Sequence, residues 1–351
     1  MAERSLAVNS HIQRWIPAAV VPAVIVVAAV AAPAVANADP ALPEKSPAQV
    51  LELIAQSHGV PFSGTIEQSS ALGLPDASAF GSAPGGDSAS SALELLTGSH
   101  TVNVFVGGTS TQRVQVLDRF AERDAIRNGD SVWLYDSDKK EAVHSTRAAG
   151  DTAPDSPAIT PAEAAEKLLG AVAPSTAVEV VDTARVAGRP AYELRLTPND
   201  ADTLVGSVVL TVDSETGLPL GASITAAGAS DPAFSVHFSK ISFAAPDAAL
   251  FDFTPPSDVT VKEHTVAKPA PDAAADPGTA PKPTIVGDGW DAVAVFPAGT
   301  VGVGSLPKQL TTAVDGGRAV STSLVSLLVT DDGRVLVGAV STERLVAVAA
   351  Q

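Results

Sequence analysis

Six histidines, His11, His58, His100, His144, His237 and His264, are the side chains best suited to proton transfer or metal ligation. No two are spaced as a metal pair on one helix or strand face. The chain has no His-Glu-x-x-His, no Gly-x-Ser-x-Gly and no glycine-rich phosphate cradle ahead of a helix. Cysteine is absent, which excludes disulfides, lipid attachment at an N-terminal Cys and Cys-based metal sites. Asp331-Asp332-Gly333 offers two carboxylates to a cation, yet a hairpin turn needs the same residues. A nucleophilic triad would have to be assembled from residues far apart in sequence. The expectation is therefore a protein that is not an enzyme and carries no cofactor or metal. What remains to be accounted for is the pattern of the apolar side chains.

Those apolar side chains are organised by the stretch from Ser99 to Ser145. Thr101 to Val106 alternates, with Val102, Val104 and Val106 on one face, and Thr111 to Leu117 alternates again with Val114 and Val116. Such alternation marks a strand with one wet and one buried face. Arg113 and Gln115 must stay hydrated, so Val114 and Val116 point inward. Phe120 to Arg127 meets Asp130 to Tyr135 across Asn128-Gly129, a dipeptide suited to a type I′ hairpin. Glu141 to His144 completes an antiparallel meander of five strands. In the fourth strand Trp133 and Tyr135 share one face and Val132 and Leu134 the other. One side is core. The other is covered by a loop or lines a cavity, and the sequence leaves the pairing open.

Elsewhere, 39 acidic residues against 22 basic give a net charge of -17, which argues against nucleic acid or anionic headgroups as bulk partners. Arg4, His11 and Arg14 precede an uncharged run from Trp15 to Asn37 and then Ala36-Asn37-Ala38. Residues 1–38 thus read as an export signal or a signal anchor, cleaved after Ala38 or retained. Either way the body works outside the cytoplasm, secreted or anchored to the membrane. Ser46-Pro47-Ala48-Gln49 opens a capped helix carrying Val50, Leu53 and Ile54, and Thr160-Pro161-Ala162-Glu163 opens a second carrying Leu168 and Leu169. Pro75 to Ser91 is a polar excursion, and Ala92 to Leu96 a short helix. Further strands are expected at Phe62–Gln68, Val178–Val186, Ala191–Leu196, Val205–Val212, Leu220–Thr225 and Phe234–Phe243. Residues 267–283, rich in Pro and Ala, form a linker. Residues 284–351 form a small α+β module with strands at Thr284–Val286 and Trp290–Phe296. A helix at Ser305–Ala313, a hairpin across Asp331-Asp332-Gly333 and a final helix capped by Ser341 complete it.

Several phrases, in order, resemble the LolA-like superfamily, which includes bacterial lipoprotein carriers and the MucB/RseB sensor proteins, in its actinobacterial type. They are the opening helix with Ser63-Gly64-Thr65, and Asn128-Gly129-Asp130-Ser131-Val132-Trp133-Leu134-Tyr135-Asp136. The Thr160-Pro161 helix, Asp213-x-x-Thr216-Gly217-Leu218-Pro219-Leu220 and Leu250-Phe251-x-Phe253-x-Pro255-Pro256 complete the set. The resemblance covers residues 41–266 and implies an α+β fold: a strongly curved, incompletely closed antiparallel β-sheet, helices in its concave side and an apolar cavity between. It implies a lipid or an acylated protein as partner, as carrier or sensor. An RseB-like sensor would act on a membrane regulatory protein such as an anti-sigma factor. The chain departs from the carriers in its excursion and its added module. Val50, Leu53, Ile54, Val102, Val104, Val114, Val116, Trp133, Tyr135, Leu168, Leu194, Leu210 and Phe238 are the expected lining. Valine and alanine dominate the sheet's apolar positions, and small side chains on a curved sheet leave volume for acyl groups. Each buried methylene contributes about 0.8 kcal/mol.

Overall fold

The computed structural model describes residues 42–74, 99–117, 121–147, 169, 174–266, 283–299 and 310–351. The expected signal segment, the excursion, the short helix after it, most of the Thr160 helix with Leu168, and nearly all of the linker lie outside the described residues. Among the described residues no helix is long and apolar enough to cross a membrane.

Helix α1 (Pro47–Gln56) begins as its sequence requires. Ser46 Oγ accepts from the Gln49 N–H, and the Gln49 side chain accepts from the Ser46 N–H, satisfying two donors that the first helical turn leaves without partners. Then follow β1 (Phe62–Ser70), β2 (His100–Val106), β3 (Thr111–Leu117), β4 (Glu122–Asn128), β5 (Ser131–Asp136) and β6 (Glu141–Arg147). The chain continues through β7 (Thr176–Val186), β8 (Arg189–Pro198), β9 (Val205–Asp213), β10 (Pro219–Ala226), β11 (Pro232–Ser242) and β12 (Thr260–Val266). These form one twelve-stranded sheet in the order β12-β6-β5-β4-β3-β2-β1-β11-β10-β9-β8-β7. The sheet is curved and open, as the resemblance implies. Four places apart in that order, β7 nonetheless touches β11, and Arg189 lies 4.9 Å over the Phe243 ring. Only a coiled sheet permits this, and register shifts at Thr65/Ile66, Val180/Asp182 and Pro219/Gly221 supply local bends.

A second sheet takes β13 (Thr284–Val286), β14 (Val293–Phe296), β15 (Thr312–Val314), β16 (Gly317–Ser321), β17 (Ser326–Thr330) and β18 (Val335–Gly338) in the order β13-β14-β18-β17-β16-β15. Helix α2 (Thr342–Ala349), capped by Ser341, closes its core through Leu345 and Val348.

Several expectations need correction. Asn128 pairs with Ser131, so the turn centres on Gly129-Asp130. Gly129 alone of these two has positive φ (61°), the type II′ pattern with glycine first, so the register moves one residue from the expected type I′ turn. Strand β12 is additional to the expected antiparallel set and runs parallel to β6, because it arrives by a long crossover rather than a hairpin. Trp290 sits in a 3-10 turn (Gly289–Asp291) ahead of β14. Within the expected Ser305–Ala313 helix, Thr312 and Ala313 belong to β15, where short pairing with β16 outweighs local helical preference.

The turn Ser214–Gly217 shows what locks α1 to the sheet. Asp213 is fully buried and accepts from Arg189 through both oxygens at 2.9 Å, and from the Glu215 and Thr216 N–H groups. Burial alone would raise its carboxyl. Arg189 and the backbone donors outweigh that and hold it below the usual range. Gly217 has φ +73°, and a Cβ there would stand 2.0 Å from the Leu53 carbonyl oxygen of α1. Gly217→Ala should therefore cost more than the ~1 kcal/mol expected for a left-handed alanine, because α1 must also retreat. Gly129→Ala, with open space around it, should cost about that amount. Urea midpoints of the two variants against the parent check the ranking.

Candidate functional site

Directly opposed residues of paired strands share a face, so the register sorts the candidate lining residues without ambiguity. Val104 opposes Val114, then Ala125, Leu134 and Val143. Ile66 opposes Val102 on one side, which opposes Val116, and Phe238 on the other. Val236, Ala222, Leu210 and Leu194 continue the same face toward β8. On this valine face α1 buries Val50 against Tyr192, Leu194 and Val212, with Leu53, Ile54 and Leu210 packed around them. Ten of the thirteen expected residues (Val50, Leu53, Ile54, Val102, Val104, Val114, Val116, Leu194, Leu210 and Phe238) thus share one side of the sheet. The four valines from β2 and β3 are 2–5% exposed and cluster with Phe62, Ile66, Leu220 and Phe238. Gly64, in the Ser63-Gly64-Thr65 phrase, makes room at the bulge: a Cβ there would sit 2.6 Å from the Phe238 ring and the Lys240 carbonyl. Beside it, Ile66, Pro219, Leu220, Gly221, Val236, His237 and Phe238 line a pocket of about 10 Å³, room for about one water.

Trp133 and Tyr135 lie on the opposite face. Trp133 opposes Ile126, which opposes Arg113, and Tyr135 opposes Asp124. Their cover is a strap of the chain itself. After a 3-10 turn (Ala248–Phe251), Phe253 packs 5.4 Å from both rings, and Asn128 donates to Asp252 at 2.9 Å. The Leu250-Phe251-x-Phe253 phrase is thus a seal over the outer face of β3–β5, and the loop-covered alternative for β5 is the one the fold adopts.

Under that strap lies an ion pair. Arg113 Nη2 donates to Asp124 Oδ2 at 2.5 Å, and Arg113 Nη1 donates to the Leu250 carbonyl at 3.3 Å. Asp124 is 0% exposed, and among the described residues its Oδ1 has no hydrogen-bond partner. Burial therefore dominates over Arg113 and pushes the Asp124 carboxyl up to about 7. Nearby, His144 stacks on Trp133 at 4.1 Å with its ring nearly parallel. Its Nδ1 lies 2.8 Å from Glu263 Oε2 and its Nε2 2.9 Å from Ser131 Oγ. The imidazole thus bridges the glutamate carboxyl and the serine hydroxyl by one hydrogen bond at each ring nitrogen. Serine, imidazole and carboxylate stand in the order of a nucleophilic relay. The Gly129 N–H in the adjacent turn is spent on the Ser110 carbonyl, and Glu263 is 66% exposed. The group's evident work is to fasten β12 to β6, together with the Lys262–Glu141 pair and the Lys140–Asp258 pair beside it. Neither the strap's contacts nor the His144–Glu263 contact carried a local signal: they join residues 118 to 137 positions apart. Asp331-Asp332-Gly333 makes the hairpin turn between β17 and β18, with Asp332 held by Arg334 and by a hydrogen bond from Thr330. Among the described residues no cluster of three His, Cys, Asp or Glu could hold a metal.

Residues 91–230 match the family model described as MucB/RseB N-terminal domain, so the likeness implied by the sequence phrases is shown for that span. Among solved structures, the Pseudomonas aeruginosa MucA/MucB complex is 17% identical to this chain. The match covers 86% of this chain and 96% of that one, with a TM-score of 0.46. A LolA superfamily protein from Nitrosomonas europaea is 11% identical, covering 60% of this chain and 99% of that one, with a TM-score of 0.24. A search of curated proteins found no match.

The buried carboxyl makes a pH prediction. Unfolded, Asp124 loses its proton near 3.8; folded, it keeps the proton to about 7. The native state then binds the extra proton between those values, so this residue's contribution is complete below 3.8 and is lost as pH rises through 7. The slope is at most about 1.4 kcal/mol per pH unit. Asp124→Asn should remove that slope. Denaturation midpoints of parent and variant at pH 5 and pH 8 should diverge, the variant gaining relative stability at the higher value.

Proposed function

We propose that this chain, with its MucB/RseB-type segment at residues 91–230, binds lipid or the acyl chains of a lipoprotein outside the cytoplasm without transforming them. The observation that supports the reading is the assembly of seven apolar side chains on one face of the sheet, with α1 laid across part of it bringing three more, and the charged pair kept on the other face. Hydrocarbon gains from such a surface because each methylene leaves water for apolar neighbours. Leu168 belongs to the expected lining and lies outside the described residues. Trp133 and Tyr135 are withdrawn from it, since the strap occupies their face. The N-terminal segment, as signal or anchor, would deliver the sheet to the compartment where acylated partners reside. Native mass spectrometry of the exported protein should show adducts of lipid mass, and a fluorescent fatty acid should be taken up. A clean unliganded mass together with no uptake would sink the reading.

A second reading is a sensor that acts on a membrane regulatory protein such as an anti-sigma factor. The observation that favours it is the second sheet, β13–β18 with α2, a unit of its own whose terminal strand among the described residues, β13, carries Ile285 at 58% exposure. Ile285→Glu should lower capture of such a partner's extracytoplasmic segment at least tenfold while leaving fatty-acid uptake unchanged. Undiminished capture would remove β13 as the contact.

A further inference from the structure

The valine face has an end, and the second sheet stands across it. The strand ends of β1, β7 and β9 that meet at one rim are each bonded to the second sheet or its loops. Beyond β1, the Leu72 carbonyl accepts from the Ser323 N–H at 3.0 Å. Ahead of β9, Thr203 bridges Val340 and its hydroxyl donates to the Ala339 carbonyl at 2.8 Å, while the Leu204 N–H donates to the same carbonyl. At the start of β7, Thr176 Oγ1 accepts from Trp290 Nε1 at 2.8 Å, and Gly289 sits so close to Ser175 that a Cβ on it would approach within 2.7 Å. In sheet order these anchors run from β1 to β7, so the second sheet spans the rim of six neighbouring strands.

Between the anchors the contact is apolar. Leu324, 5% exposed, is buried in a cluster with Val205 and Ala233, around which Val208, Ile224, Phe234, Trp290 and Ala339 pack. Val208, Ile224 and Phe234 are mutually opposed on β9, β10 and β11. They form the next rung of the valine face beyond Leu210, Ala222 and Val236, which lie between the α1 contact and the β1–β3 valines. Hydrocarbon running along that face toward this rim therefore meets Leu324 and Trp290.

We infer that Leu324, backed by Trp290, is the stop that sets how long an acyl chain the valine face accepts. The inference rests on the lipid-binding reading and deepens it. It also gives the second sheet a task in that reading: it terminates the apolar face instead of hanging from the linker.

The test is a series of saturated fatty acids of rising length, measured on the full chain by displacement of a fluorescent fatty acid. In the parent, affinity should rise about fourfold per added methylene, the equivalent of 0.8 kcal/mol, and then reach a plateau. Leu324→Ala should move the plateau toward longer chains by roughly two to three carbons, the length of side chain removed. Leu324→Phe should move it the other way, and opposite shifts from a smaller and a larger residue cannot both come from lost folding. Thermal melting of both variants accompanies the series. Binding with the same plateau in all three proteins would overturn the stop while leaving lipid binding intact. No binding of any chain length by the parent would overturn the lipid reading and the stop with it.

Discussion

Every placement of a side chain in this protein hangs on strand register. Twelve strands pair in one sheet, and a slip of one residue anywhere would carry a row of valines to water and a row of charges to the core. The register is held at its margins by specific contacts. Asp213 and Arg189 fix the β9–β10 turn, Gly217 admits the end of α1 against that turn, and the Gly129-Asp130 turn fixes β4 on β5. The apolar face is thus the sum of many local pairings, and α1 docks where those pairings gather Tyr192, Leu194 and Val212.

Strand β5 illustrates how one sheet meets two demands. Leu134 faces the valines, while Trp133 and Tyr135 face a strap from the end of the first sheet's sequence. Beside the strap a buried carboxylate shares the Arg113 guanidinium with Glu122, an arrangement whose desolvation opposes its Coulombic gain. It keeps Arg113 and Asp124 off the apolar face and makes them the anchor for the strap. The parallel strand β12 extends the sheet beyond β6 through ion pairs, so the outer face adds polar fastenings to its aromatic seal.

The second sheet is joined to the first by hydrogen bonds at three strand ends and by one apolar cluster. Such an arrangement leaves a single apolar cluster between the valine face and the second module. Leu324 touches the same cluster as Phe234 and Ile224, and the Trp290 indole is tied to the start of β7. Carrier and sensor readings differ in what the second module then contacts, while sharing the same apolar face.

The alternation of Val102, Val104, Val114 and Val116 and the capping box at Ser46 were legible in the chain because they are local, with period two or a spacing of three, and backbone geometry alone dictates them. The ordered family phrases likewise announced a curved open sheet. The face on which Trp133 lies was not legible, since it depends on pairing with Ile126 and His144 and on a strap more than a hundred residues downstream. The parallel β12, the strand at Thr312–Val314 and the docking of Leu324 were likewise decided only by tertiary structure. Each is an agreement between surfaces distant in sequence, and such agreements leave no periodicity in the chain that makes them.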